Sequence, residues 1–199
     1  MGELDFMIWM HTNLHSSDVV TQIVKYITML GDSGLVWIIL GLVMLCSKKT
    51  RTPALFMLGS LALGFLINDF ILKNLFARER PIFQSDVLYN WLSTTGYEMP
   101  DGFSFPSGHS MGSFACAIVL VYFYKWRAPP AVVLASLIAI SRVYMCAHFP
   151  TDVIAGALFG TIIAIIAIIY YKKFWGSFSR WLYKTKAKFL IYLKNKNNA

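Results

Sequence analysis

Charge is scarce in this sequence. Asp, Glu, Lys and Arg make up 14% of its 199 residues, against 57% hydrophobic residues. A soluble domain carries about a quarter charged residues to cover its surface, and a disordered chain carries few apolar ones, so both classes are excluded. Cysteine is sparse as well: Cys46, Cys116 and Cys146 lie in apolar runs and no pair has CxxC spacing. That argues against a disulfide framework and against a thiolate zinc site. A basic start is missing too, since Glu3 and Asp5 precede the first short apolar run, so no cleavable signal peptide is expected and the chain is read as unprocessed. No internal repeat or low-complexity segment is visible. Apolar sequence is what the chain has in quantity, with a mean hydropathy of +0.56, and this marks an integral membrane protein.

A helix crosses the hydrocarbon core with about 20 mainly apolar residues. Val153 to Tyr171 carries no charge. Pro130 to Phe149, Ser110 to Trp126 and Ala54 to Ala77 are also long enough, although Arg142 falls in the first and Asp69 and Lys73 in the last. Gly34 to Cys46 is a shorter candidate. Leu4 to Leu30 reads as two amphipathic pieces broken around His15 to Asp18, lying at the membrane surface. The expected fold is therefore all-α: a polytopic membrane helix bundle of about five spans plus N-terminal interfacial helices. It forms a single domain over 1–199, with 1–31 as the interfacial segment and 172–199 as a basic cytoplasmic tail. Phe174, Phe178, Leu182, Phe189 and Leu193 recur through that tail near helical spacing, which suits a surface helix on anionic lipid as well as it suits a frayed tail.

Basic residues set the orientation. Lys48, Lys49 and Arg51 form one purely basic stretch, Lys125 and Arg127 a second, and eight Lys and Arg after Tyr171 a third, together 13 of the 18 basic residues with no acidic neighbour. Five alternating spans put all three on one side, which should be cytoplasmic. All 10 acidic residues fall toward the other side, so the net charge of +8 follows from topology and calls for no nucleic-acid partner.

Ionisable residues in or beside spans are costly and are functional candidates by default. At the outer face the same topology gathers Lys73, Arg80, Arg142, His109, His148 and Asp152. Several fixed cations imply an anionic ligand with several charges. Lys73 and Arg80 are seven residues apart, two turns along one face if the helix runs on. Ser107 can cap a helix and Gly108 lets backbone N–H groups approach an anion at the positive end of the helix dipole, a cradle that fits phosphate. Two histidines add proton and nucleophile chemistry, and Asp152, four residues after His148, can orient that imidazole. Plainer readings stand beside these. Asp69 and Lys73 can form an i,i+4 ion pair, Arg142 can serve helix packing, and Arg78 and Glu79 can be solvated loop charges. His11 and His15 read as surface residues. Trp91, Tyr97 and Phe103 suit an aromatic belt or a lid. Gly156 and Gly160 form a GxxxG whose use is packing within the chain or pairing of two chains.

Three blocks then stand out: Lys73, six residues, Arg80 and Pro81; Pro106, Ser107, Gly108 and His109; and Ser141, Arg142, five residues, His148, three residues and Asp152. Together they resemble the signature of the type 2 phosphatidic acid phosphatase family, in order and spacing, over residues 73 to 152. The resemblance implies a haloperoxidase-like helical fold and a membrane lipid phosphatase that needs no metal and no cofactor. It implies that His148 attacks phosphorus and forms a phosphohistidine, that Asp152 orients His148, and that His109 protonates the leaving oxygen. Lys73, Arg80, Ser107, Gly108 and Arg142 would hold the phosphate, while Pro81 and Ser141 would be structural. The implied partners are a lipid phosphate or diphosphate and membrane lipids, and the implied location is the plasma membrane with the site extracytoplasmic. Undecaprenyl diphosphate leads the substrates, ahead of phosphatidylglycerophosphate and phosphatidic acid. An anion transporter or channel, and a phosphotransferase with an acceptor other than water, are the competing classes.

Overall fold

The computed structural model describes residues 2–14, 18–178, 180–181 and 184–185, and all regular elements among them are helical. They are α1 (Glu3–Leu14), α2 (Asp18–Leu30), α3 (Leu35–Leu45), α4 (Arg51–Ile67), α5 (Lys73–Phe76), α6 (Asp86–Thr94), α7 (Gly108–Tyr124), α8 (Pro129–Tyr144) and α9 (Pro150–Tyr170), joined in places by single 3₁₀ or π turns.

Helix α7 is the centre of the bundle, packed against α4, α8 and α9. Its buried positions are mostly small: Ser110, Gly112, Ser113, Ala115, Cys116 and Ala117. In lipid no hydrophobic force separates helix from solvent, so close backbone approach between small residues holds the helices together. The large apolar side chains turn outward instead, among them Leu63 and Leu66 on α4, Leu137 and Ile140 on α8, and Leu158, Ile162 and Ile169 on α9. Gly156 and Gly160 face α7. A Cβ at Gly156 would lie 2.5 Å from the Ser107 carbonyl oxygen, and one at Gly160 would overlap the Met111 carbonyl. The GxxxG therefore serves packing within the chain.

The starts of α7 and α9 lie side by side, where the Ser107 N–H donates to the Asp152 carbonyl at 3.0 Å. The ends of α5 and α8 arrive at the same level, because Lys73, Arg142 and His148 line one cavity. Thr50 and Arg127, from the two basic connections, line a separate groove with Trp37 and Leu120. Above the site, α1 and α6 form a small roof in which Met7, Ile82, Leu88, Leu92, Met145 and Phe149 pack together.

Lys73 and Arg80 do not share a helix face: α4 passes through a π turn at Asn68–Leu72 into α5, which ends at Ala77 in a left-handed conformation, φ 44°. Arg80 then follows in extended backbone ahead of Pro81, as a residue preceding proline favours. The polar face of α2, in the segment expected at the membrane surface, packs against protein. Thr21 Oγ1 lies 3.1 Å from the Tyr144 hydroxyl, Arg142 donates to Thr28 Oγ1 at 2.8 Å, and Lys25 Nζ donates to the Gly96 carbonyl at 2.6 Å. Helices α2 and α3 meet at a 49° bend.

Two helical stretches among the described residues, Arg51–Phe83 and Pro150–Phe178, are long and apolar enough to cross a membrane, and the bent α2–α3 pair is a third if it counts as one span. Helices α7 and α8 are shorter, at 17 and 16 residues. After α9 the helix continues through a π turn at Tyr171–Trp175; most of the basic tail, like His15, lies outside the described residues.

Candidate active site

One cavity of about 470 Å³ is lined by Lys73, Arg80, Gly108, His109, Arg142 and His148. Six of the eight residues singled out from the sequence thus share one space, and all three blocks contribute. The other two, Ser107 and Asp152, are fully buried and stand directly behind it.

His148 sits in the short connection between α8 and α9 and is only 2% exposed. Its Nε2 lies 3.2 Å from Arg80 Nη1. A guanidinium nitrogen can only donate, so Nε2 is the acceptor and the ring proton belongs on Nδ1. There Nδ1 meets Ser104 Oγ at 3.3 Å, and Ser104 Oγ donates to Asp152 Oδ2 at 2.5 Å. The direct Nδ1 to Oδ2 distance is 3.7 Å. The serine therefore mediates between imidazole and carboxylate. Asp152 is fixed further by the Phe149 N–H, 2.9 Å from Oδ2, an N-terminal capping box of α9, and by Arg78 Nη1, 2.6 Å from Oδ1. Burial pushes the His148 imidazole well below its ordinary value. Asp152 opposes that shift, while Arg80 and Arg142 reinforce it. The ring is neutral at neutral pH, with a lone pair on Nε2.

The cations differ in how they are held. Arg80 is gripped by backbone carbonyls: its Nε reaches Gly102 at 3.0 Å, Nη2 reaches Asp101 at 2.7 Å and Nη1 reaches Ala147 at 3.0 Å. As a guanidinium it stays charged at neutral pH. Arg142 Nη1 donates to Thr28 Oγ1 and, at 2.6 Å, to the Tyr97 hydroxyl, while its buried Nε has no partner among the described residues. Lys73 makes the ion pair with Asp69 at 2.8 Å and also lines the cavity, so the plain reading and the site reading hold together.

Ser107 is the N-cap of α7, its side chain accepting from the Ser110 N–H at 3.5 Å. A Cβ on Gly108 would meet Asn68 Nδ2 at 3.0 Å, so bare backbone fits this helix start, where N–H groups and the helix dipole favour an anion. His109 Nε2 lies 2.8 Å from Asp32 Oδ1.

Four contributors were not legible as site residues. Asp32 was not singled out, and neither was Ser104. Arg78, expected as a solvated loop charge, bonds Asp152 and also reaches Glu3 Oε2 at 2.6 Å. Tyr97, expected in a belt or lid, instead accepts from Arg142. Each acts across a separation of tens of residues, which no local spacing reveals. A charged residue in the middle of an apolar stretch was the one signal available for Asp32.

The PAP2 superfamily is matched over residues 53–176, more than half of the chain, and the chain belongs to that family. Several of its relatives are named as lipid phosphatases. It is 29% identical to an undecaprenyl-diphosphatase of Sulfolobus acidocaldarius over 67% of this chain and 62% of that protein. It is 33% identical to a lipid A 4'-phosphatase of Porphyromonas gingivalis over 73% of this chain and 64% of the relative. The chain thus spans a little under two thirds of the length of these two relatives. Among solved structures, it resembles the PAP2-type phosphatidylglycerolphosphate phosphatase of Bacillus subtilis with a TM-score of 0.63 and 27% identity, covering 86% of this chain and 93% of that one. It resembles LpxE of Aquifex aeolicus with a TM-score of 0.67 and 26% identity, covering 84% and 94%.

Proposed function

We propose that this protein is a membrane lipid phosphatase that works through a phosphohistidine at its extracytoplasmic face. The observation that carries the proposal is the convergence of Lys73, Arg80, Gly108, His109, Arg142 and His148 on one cavity, with His148 Nε2 beside the Arg80 guanidinium.

In this reading the bundle crosses the membrane five times, with α2 and α3 together as the first, broken crossing, and the purely basic connections stay cytoplasmic. The lipid remains in the outer leaflet and its phosphate enters the cavity. Arg80, Arg142, Lys73 and the N–H groups at the start of α7 hold the non-bridging oxygens and stabilise charge as the phosphoryl group transfers, the dominant contribution in such reactions. His148 Nε2 forms the bond to phosphorus while the lipid P–O bond breaks. Nδ1–H, held by Ser104 and Asp152, keeps the ring aimed and spreads the positive charge it acquires. His109 gives a proton to the departing oxygen, then takes one from the water that attacks the phosphohistidine and frees phosphate. The cavity's own cations supply the charge stabilisation, so no metal ion is required.

Undecaprenyl diphosphate is the leading substrate. A short chain with its site at the outer face suits that lipid, and a relative carrying that name supports it. Phosphatidylglycerophosphate is the runner-up, supported by a Bacillus subtilis relative named phosphatidylglycerophosphatase B, 32% identical over 72% of this chain and 71% of its own length. The test is phosphate release by the purified protein from undecaprenyl diphosphate, phosphatidylglycerophosphate, phosphatidic acid and lipid A, each alongside His148→Ala. Release at least about 10³-fold faster than the variant is expected for the true substrate. Equal release by the variant on every lipid overturns the proposal.

A further inference from the structure

We propose that Asp32 is a positioning residue for His109, and that the two form a second histidine–carboxylate pair serving the leaving group, as Asp152 and Ser104 serve the nucleophile. This rests on the phosphatase reading above and extends it to a residue outside the signature blocks.

The backbone around Asp32 is shaped to meet His109. Helices α2 and α3 do not run into one another: between them lies a single 3₁₀ turn, Asp32–Gly34, at the 49° bend. Two consecutive residues there, Ser33 at φ 51° and Gly34 at φ 71°, adopt left-handed backbone. For serine this is a strained conformation that persists only where its surroundings enforce it. The break presses the chain onto the imidazole. A Cβ at Gly31 would lie 2.6 Å from His109 Cδ2 and 2.6 Å from Ile138 Cγ2, so the glycine lets the backbone pack against the ring. The next residue then places Oδ1 2.8 Å from Nε2.

The charges around His109 explain what the carboxylate does. Arg80, Arg142 and Lys73 line the same cavity, as do Glu98, Asp101 and Asp69, the last paired to the lysine. His148 lines it too and is neutral. The two arginines oppose a further positive charge on His109, and Asp32 is the acidic group in contact with that ring. A carboxylate at this distance stabilises the imidazolium and fixes which nitrogen carries the proton. As His148 Nε2 bonds to phosphorus, the electron pair of the P–O bond passes to the leaving oxygen, and that oxygen takes the proton from His109. His109 is left neutral. Water then bonds to phosphorus, the N–P bond breaks, and the water's proton returns to His109, restoring the pair. Asp32 is 47% exposed as a side chain and lines the cavity, so a leaving oxygen can enter beside it without disturbing packed side chains.

The experiment compares two leaving groups. An alkyl phosphate, such as dioctanoyl phosphatidic acid, needs a proton on its departing oxygen, whereas p-nitrophenyl phosphate departs as a stable anion. Asp32→Asn keeps the shape and removes the charge. It is expected to lower kcat/KM on the alkyl ester about 10²-fold, the usual scale of general-acid catalysis, while kcat/KM of the aryl ester stays within about 3-fold of the parent; kcat/KM reports formation of the phosphohistidine, before the water step that the two esters share. Asp32→Glu is expected to restore part of the loss. Equal loss on both esters, or no loss on either, overturns the proposal. A double-mutant cycle gives an independent readout: Asp32→Asn added to His109→Gln should cost nothing further, and a full additive loss contradicts the pairing. His148→Ala run in parallel separates the two levels, because its unchanged turnover overturns the phosphatase reading itself, whereas its loss beside a harmless Asp32→Asn overturns the positioning role alone.

Discussion

Substitution of Gly156 by alanine adds one methyl group at the point where α9 touches the first turn of α7, the proposed phosphate cradle. The new Cβ would stand 2.5 Å from the Ser107 carbonyl oxygen and 3.0 Å from Ser110 Cβ, against 3.4 Å for ordinary contact. The nearer neighbour is backbone at a helix start, so no side chain can swing aside. The two helices must part by the better part of an ångström, which for overpacking costs roughly 1–3 kcal/mol. Ser107, Gly108 and His109 ride on that first turn, and a shift of about 1 Å at a reacting site can cost about 10²-fold in rate. Gly156→Ala is therefore expected to lower both the melting temperature and kcat/KM, the latter about 100-fold. The assay is phosphate release in detergent together with a thermal melt. Gly59→Ala is the control: nothing lies within 4 Å of its added Cβ, and helix propensity favours the alanine by up to about 1 kcal/mol, so its activity should be unchanged. Wild-type activity and melting in Gly156→Ala would refute the view that this glycine sets the cradle.

Three further outcomes follow from the site. Arg78→Met removes the guanidinium from Oδ1 of the fully buried Asp152 and severs the link to Glu3. Leaving that oxygen unpaired should cost about 1–3 kcal/mol in a thermal or denaturant melt and should lower kcat more than it raises KM. With His148 as the proposed nucleophile, the pH profile of kcat/KM should stay flat on the acid side through the ordinary histidine value of 6.5, because that imidazole gains its proton only as pH falls through its lowered pKa; a loss of activity centred near 6.5 and assigned to His148 would contradict the burial argument. Strong chelators should leave turnover intact, and a loss that added metal restores would show that the cavity's cations do not suffice.

Much of this site was legible because its residues sit at helix ends, where short motifs fix geometry. Ser107 and Gly108 announce a helix start, and a helix start is where the structure puts them. His148 and Asp152 are four apart, and the bend at Pro150 still leaves them paired. Arg142, a charge near the end of an apolar run, lines the cavity. What was not legible depends on tertiary meeting. Asp32 finds His109 across 77 positions and Ser104 finds Asp152 across 48. The amphipathic periodicity of α2 reports that one face is polar without saying what covers it. Its threonines and Lys25 bond to Tyr144, Arg142 and the Gly96 carbonyl rather than to water. The helix carrying Lys73 ends at Ala77, where the candidate span also ended, so the condition under which Lys73 and Arg80 would share a face is not met; the left-handed backbone of Ala77 carries no sequence signal of the kind a glycine would give.

The central claim is that an imidazole gripped among these cations attacks phosphorus. It is tested most directly by mixing the protein with ³²P-labelled lipid phosphate, quenching in base within milliseconds and locating the label by peptide mass spectrometry. The account predicts an acid-labile phosphate on His148, absent in His148→Ala and trapped in greater amount where water attack is slowed. Active protein that carries no label at any time, or carries it on another residue, would contradict it.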